Sequence, residues 1–129
     1  MTNKKPRIVA IDDETLFMET IKEYFELRKY EIDTSSVAVQ GIELINSKNP
    51  DVVILDLKMP GISGDEVLSL LKNKHPKTKV IFVTAYDDGG KTRTRLLGSG
   101  AFAYLDKPLR SLRELEDTVN KAYADNGGR

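Results

Sequence analysis

The sequence predicts an α/β fold: a doubly wound, five-stranded parallel sheet with helices on both faces. Three observations predict it. Short apolar runs alternate five times with amphipathic stretches, the connections between them are short, and the strongest run, Asp51-Val52-Val53-Ile54-Leu55, is apolar on both faces and rich in β-branched residues. A strand buried on both sides belongs in the middle of a parallel sheet covered by helices. Right-handed crossovers then distribute the helices over both faces.

Each element has its own signal. Arg7 to Ile11 reads as a buried strand that ends at Asp12-Asp13. From Glu14 to Arg28, Phe17, Ile21 and Phe25 recur at i, i+4 and i+8, one face of a helix. Tyr30 to Thr34 is a short, more polar strand, expected at a sheet edge. Val37 to Ser47 reads as a helix with Ile42 and Ile45 inward. Gly41 inside it costs about 1 kcal/mol relative to Ala, which points to close packing on the sheet. Asn49-Pro50 breaks that helix, and the central strand follows, terminated by Asp56.

Ser63-Gly64-Asp65-Glu66 is a capping box that opens a third helix, with Val67, Leu70 and Leu71 inward and His75-Pro76 at its end. Lys79 to Val83 is a fourth strand, stopping at Thr84. The stretch Asp87 to Ser99 should hold a fourth helix, but Gly89-Gly90 falls in its first turn and only Leu96 and Leu97 are clear anchors. A short or mobile helix is expected there. Phe102 to Leu105 is the fifth strand, ahead of Asp106-Lys107-Pro108. A second capping box, Ser111-Leu112-Arg113-Glu114, opens the last helix, with Leu112, Leu115 and Val119 inward. One domain over 1–129 is expected, with its core at about 6–124 and a frayed tail from Asp125 to Arg129.

Composition narrows the function. The 129 residues include 20 basic and 20 acidic side chains, so no basic excess marks a nucleic-acid surface. Lys4-Lys5 and the pair Arg93 and Arg95 read as solvated surface. No cysteine is present, which removes disulfides, thiolate metal sites and cysteine nucleophiles. His75 is the single histidine, so a multi-histidine metal centre is excluded and a histidine phosphocarrier is disfavoured; it reads as a surface residue ending a helix. No apolar run approaches the ~20 residues that cross a bilayer. A cytoplasmic protein without membrane contact is expected.

Ligands of open parallel sheets bind beyond the carboxyl ends of the strands. Those ends carry Asp12 and Asp13 after strand one, Asp56 after strand three, Thr84 after strand four and Lys107 after strand five. Converging carboxylates repel, and a hard divalent cation relieves the repulsion; Mg²⁺ takes oxygen ligands and is typically shared with phosphate. Thr84 and Lys107 have no use for a bare cation, but suit a phosphoryl group as hydroxyl donor and point charge. Cation, phosphoryl group and carboxylate nucleophile together equip a site for an acyl phosphate on Asp. Singly, Asp12, Asp13 and Asp56 read equally as turn formers or caps, Thr84 more often as structural and Lys107 more often as a solvated loop residue; the specificity lies in successive strand ends.

The segments Val9-Ala10-Ile11-Asp12-Asp13-Glu14, Val53-Ile54-Leu55-Asp56-Leu57-Lys58-Met59-Pro60-Gly61, Phe82-Val83-Thr84-Ala85 and Tyr104-Leu105-Asp106-Lys107-Pro108 resemble the response-regulator receiver domain of two-component signalling, in order and spacing, over nearly the whole chain. The resemblance implies a flavodoxin-like sheet of order 2-1-3-4-5. It implies that Asp56 takes a phosphoryl group from a sensor histidine kinase or phosphotransfer protein. Asp13, Asp56 and the backbone carbonyl of Lys58 would bind Mg²⁺, or Mn²⁺ in its place, with Asp12 acting through water. Thr84 and Lys107 would hold the phosphoryl oxygens, and the Lys107–Pro108 bond would be cis. Thr84 and Tyr104 would form a switch reporting to an effector protein through helix four, strand five and helix five, in a monomer or a phosphorylation-dependent dimer. Lys58 and Tyr86 would flank the phosphoryl group: Tyr86 is expected to restrict attacking water, while Lys58 is open between the phosphate and a nearby carboxylate.

Two other activities fit these residues less well. A phosphatase of the haloacid dehalogenase type also places an Asp nucleophile after a strand, but needs a second Asp two residues on, where this chain has Lys58. A flavodoxin-like cofactor binder needs a phosphate-cradling loop after strand one. Here Asp12-Asp13-Glu14 would repel phosphate, and no G-x-G-x-x-G exists. The expected protein is therefore a phosphoryl acceptor rather than an enzyme acting on others, either stand-alone or cut from a larger transcription factor or hybrid kinase.

Overall fold

A computed structural model describes residues 4–125. Its elements run β1 (Arg7–Ile11), α1 (Thr15–Leu27), β2 (Glu31–Ser35), α2 (Ala38–Lys48), β3 (Val52–Leu55), α3 (Gly64–Lys74), β4 (Lys79–Thr84), α4 (Lys91–Gly98), β5 (Ala103–Asp106) and α5 (Leu112–Asp125). The strands form one parallel sheet of order β2-β1-β3-β4-β5, with the polar β2 at an edge and β3 in the centre, as the sequence predicts.

Alternation along the strands divides the core in two. Ile8, Ala10, Ile54, Ile81 and Val83 face one layer with Ile21 and Phe25 of α1 and Leu115 and Val119 of α5. Val9, Ile11, Val53, Leu55, Val80 and Phe82 face the other with Ile45 of α2, Val67 and Leu71 of α3 and Leu96 of α4. Phe17, Ile42 and Leu112, expected inward, lie half-buried at the margins.

Two inward assignments are corrected. Leu70 is exposed and Leu68 takes its place in the core; Leu97 is exposed and Leu96 alone anchors α4, with Thr92 one turn before it. The reason is common to both. Neighbours on a helix are about 100° apart, so the buried arc sets which residue points out: α3 buries Val67, Leu68 and Leu71, which turns Leu70 outward, and α4 buries Thr92 and Leu96, which turns Leu97 outward.

The close packing inferred at Gly41 is present: a Cβ there would stand 2.5 Å from Cδ1 of Ile11. The Ser63–Glu66 capping box forms at the start of α3. At α5 the Ser111 hydroxyl accepts the Glu114 amide, but the Glu114 carboxylate accepts the amide of Arg110 instead of Ser111. The fourth helix is short, as expected, at 8 residues. Gly89 and Gly90 adopt φ of 76° and 92°, a left-handed turn that L side chains resist, so they set the point where α4 begins. Asp88 supplies what a glycine cannot: its carboxylate accepts both the amide and the hydroxyl of Thr92, at 3.0 and 2.7 Å. Of the tail expected to fray, Asp125 closes α5 and pairs with Lys79 at 2.8 Å; residues 126–129 lie outside those described. His75 closes α3, its ring Nε2 2.9 Å from Oδ1 of Asn46 on α2.

Candidate functional site

The register of the sheet brings the candidate residues together. Ile11 pairs with Leu55, and the Asp56 amide donates to the Ile11 carbonyl at 3.1 Å, so Asp12 and Asp56 emerge side by side from adjacent strands. Thr84 pairs with Asp106, and the Lys107 amide donates to the Thr84 carbonyl at 2.9 Å, which brings the chain after β5 back to the same rim. The Lys107–Pro108 peptide is cis.

Asp12, Asp13 and Asp56 each offer a carboxylate oxygen, all within 4.8 Å of one another. Asp12 is 1% exposed and Asp56 7%, while Asp13 faces solvent. Lys107 stands over the cluster from the far side, with Nζ 2.8 Å from Oδ2 of Asp12 and 3.9 Å from Oδ2 of Asp56. It also pairs with Glu14 and lies 5.0 Å from the centre of the Phe17 ring. Asp12 Oδ1 accepts the Glu14 amide at 2.9 Å, and Asp56 Oδ1 accepts the Leu57 amide at 2.8 Å.

The electrostatics are unequal across this pair. Burial pushes the Asp12 carboxyl above its usual range, and the nearby Asp56 charge adds to the rise, against the Lys107 ammonium and the hydrogen bond from the Glu14 amide. Burial alone would lower the Lys107 ammonium, but its bonds to Asp12 and Glu14, with the charges of Asp12 and Asp56, outweigh that and hold it above its usual value. One cation is thus shared among several carboxylates. The cation is well satisfied, whereas Oδ2 of Asp12 is buried without a well-directed hydrogen bond, although the Lys107 ammonium is at ion-pair distance. A hard-oxygen set with surplus negative charge and an under-satisfied buried oxygen suits a divalent cation, and the donors fit.

The remaining predicted residues border this centre. Thr84 is buried at the end of β4, its Oγ1 accepting the Tyr86 amide at 3.2 Å. Tyr104 is buried, its hydroxyl donating to the Tyr86 carbonyl at 2.9 Å. Lys58 has its Nζ 4.4 Å from the centre of the Tyr86 ring. Beside them an open polar cavity of about 310 Å³ is lined by Tyr86, Asp87, Asp88, Arg93, Tyr104 and Asp106, among others.

Sequence reasoning missed two participants. Glu14 shares Lys107 with Asp12, and its place directly after the acidic pair was the available signal. Arg93, read as solvated, donates to the Tyr104 carbonyl and to Asp106, both at 2.7 Å, with its guanidinium 4.9 Å from the Tyr104 ring centre. Arg95 likewise pairs with Asp65 of α3. No local pattern pointed to either, because both partners are distant in sequence.

Comparison with known proteins agrees with this geometry. The family model for the response regulator receiver domain matches residues 8–120. A response regulatory protein of Vibrio cholerae serotype O1 is 42% identical over 117 residues, covering 88% of this chain and 46% of that protein. The transcriptional regulatory protein DegU of Brevibacillus brevis is 32% identical, covering 84% and 47%. The chain therefore spans about half the length of these curated relatives. The crystal structure of a receiver domain protein from Clostridium thermocellum superimposes with a TM-score of 0.84 at 32% identity, covering 94% of this chain and 96% of that one. No helix among the described residues is long and apolar enough to cross a membrane. The match extends through all five strands and across every strand end that carries a site residue, so the chain belongs to the response regulator receiver domain family and is a component of two-component signal transduction.

Proposed function

We propose that Asp56 is the phosphoryl acceptor of this receiver. The observation that carries the reading is the convergence of Asp12, Asp13 and Lys107 around it, from two other strand ends. Asp12, Asp13, Asp56 and the Lys58 carbonyl would hold Mg²⁺, with Mn²⁺ able to substitute. When bound, the ion supplies charge neutralisation at the phosphoryl oxygens. An Asp56 carboxylate oxygen forms a bond to phosphorus as the bond from phosphorus to the donor breaks, and the donor atom leaves with that electron pair. Lys107 is positioned to neutralise one phosphoryl oxygen, and Thr84 to donate its hydroxyl to another.

The donor is a sensor histidine kinase or a phosphotransfer protein. The output is read by an effector, either a separate protein or a domain of the same polypeptide, through α4, β5 and α5. Tyr104, with Thr84, couples the two. Phosphorylation adds about −1.5 to −2 of charge, and inverting a 1:99 population needs a bias of about 5.5 kcal/mol; new bonds from Thr84 and Lys107 are the source. A cytoplasmic setting, with a monomer or a phosphorylation-dependent dimer, completes the reading. Neither nucleic acid nor membrane is a direct partner of residues 1–129.

Incubation with acetyl phosphate and Mg²⁺, followed by intact mass, tests the assignment. The parent should gain one phosphoryl group; Asp56→Asn, and the parent with chelator, should not. Full labelling of Asp56→Asn would show that the acceptor lies elsewhere.

A further inference from the structure

The loops after β3 and β4 run side by side, because Leu55 pairs with Phe82 and the chains continue in parallel beyond them. Lys58 and Tyr86 meet across those loops, both exposed, with the ammonium 4.4 Å from the ring centre. Among the described residues no carboxylate lies within ion-pair distance of Lys58; Asp12, Glu14 and Asp56 are engaged by Lys107. Tyr86 is held from its other side, where its carbonyl accepts the Tyr104 hydroxyl at 2.9 Å. The Tyr104 ring in turn carries Arg93. One chain of contacts therefore runs Lys58, Tyr86, Tyr104, Arg93, from the mouth of the acidic site to the α4–β5 surface.

We propose that the Tyr86 ring is a competitor for the Lys58 ammonium, a latch that phosphorylation of Asp56 opens by drawing Lys58 onto a phosphoryl oxygen. The proposal rests on Asp56 being the acceptor and adds the regulation of that site. Lys58 is two residues from Asp56 and has four methylenes to turn about, so its ammonium is a mobile point charge at the site mouth. Before phosphorylation its ammonium faces the ring, and among the described residues no carboxylate competes for it. A phosphoryl group of charge about −1.5 to −2 is a far stronger attractor than a neutral quadrupole. The ring's hold then acts as a tax on binding: a cation–π contact at an exposed ring corresponds to about a two- to five-fold factor in an equilibrium constant.

Competition of this kind has a signature that a steric lid lacks: the effect of the ring depends on the lysine being present. Parent, Tyr86→Leu, Lys58→Met and the double variant would be titrated with beryllofluoride and Mg²⁺, followed by amide NMR. Beryllofluoride stands in for the phosphoryl group. The substituted side chains are exposed and the Tyr86 carbonyl is retained, so the fold is preserved. Tyr86→Leu should bind about two- to five-fold more tightly than the parent, and Lys58→Met at least two-fold more weakly. In the Lys58→Met background Tyr86→Leu should change nothing. Tyr86→Phe, which keeps the ring face, should match the parent. Without metal or beryllofluoride, urea unfolding of the same four proteins should show a two- to five-fold coupling between the two positions.

Equal effects of Tyr86→Leu in both backgrounds, or weaker binding by Tyr86→Leu, would overturn the latch while leaving Asp56 as acceptor. Failure of the parent to bind, or equal binding by Asp56→Asn, would overturn the acceptor assignment and the latch with it.

Discussion

Gly64, the first residue of α3, is the position where a single methyl group should cost most. A Cβ built there would lie 2.7 Å from Cε1 of Phe82, 2.8 Å from the carbonyl oxygen of Asp56 and 2.9 Å from Cα of Leu57. Ordinary carbon contacts are about 3.5–4.0 Å, so neighbours must move by roughly 0.6–1.3 Å. Phe82 is fully buried, and the other two atoms are backbone, so none of them is the free end of a flexible side chain. Overpacking of this kind costs about 1–3 kcal/mol. Against it stands the usual gain from Gly→Ala at a compatible backbone position, about 0.4–1 kcal/mol. The clash wins, and Gly64→Ala is expected to destabilise by about 1–2 kcal/mol. Gly98, in α4, is the control: nothing stands within 4 Å of its Cβ position, so Gly98→Ala should stabilise by about 0.5–1 kcal/mol. Urea unfolding followed by circular dichroism measures both. The same substitution should move the midpoint in opposite directions, and a Gly64→Ala midpoint at or above the parent's would refute the reasoning.

Three further outcomes follow from the geometry. Burial alone would raise the Glu116 carboxyl, but hydroxyls of Tyr24 and Tyr30, each at 2.8 Å, and the charge of Arg28 hold it below its usual range. A depressed folded-state pKa gives stability that is present above the unfolded value of about 4.3 and is lost as pH falls through the folded one. Glu116→Gln should therefore cost about 1–2 kcal/mol at neutral pH, and the difference from the parent should close as the pH drops below about 4; a constant difference across that window sinks the argument. With Asp56 as the proposed acceptor and the Tyr86 ring as a screen against water, the dephosphorylation half-life of Tyr86→Ala should shorten about three-fold, equivalent to ~0.7 kcal/mol of barrier; an unchanged rate means that the ring does not screen the bond. Arg93→Ala removes two hydrogen bonds and a ring contact that fasten α4 to β5. Its guanidinium is partly exposed, which limits the loss to about 1 kcal/mol, and hydrogen exchange of the α4 amides should accelerate about five-fold.

Much of this was legible in one dimension because the signals are local. Two-sided apolar runs place β3 in the centre, Ser63 and Glu66 announce α3, and the ends of β1, β3, β4 and β5 carry the candidate residues, since strand ends are where a parallel sheet presents ligands. The misassigned leucines, Leu70 and Leu97, show where local pattern fails: adjacent apolar residues leave the helix phase undetermined until a neighbouring layer chooses between them.

The sequence by itself determined the architecture, its strand ends and the chemical identity of the groups that meet there, because apolar periodicity and strand termination depend on short stretches of chain. Tertiary structure alone decided how charge is divided among those groups. That Lys107 is shared by Asp12, Glu14 and Asp56, that Lys58 turns to an aromatic ring, and that Arg93 fastens α4 to β5 are pairings between residues 11 to 95 positions apart. Coulombic and cation–π partners are chosen by distance in space and by burial, and neither quantity exists until the sheet has set the register of its strands.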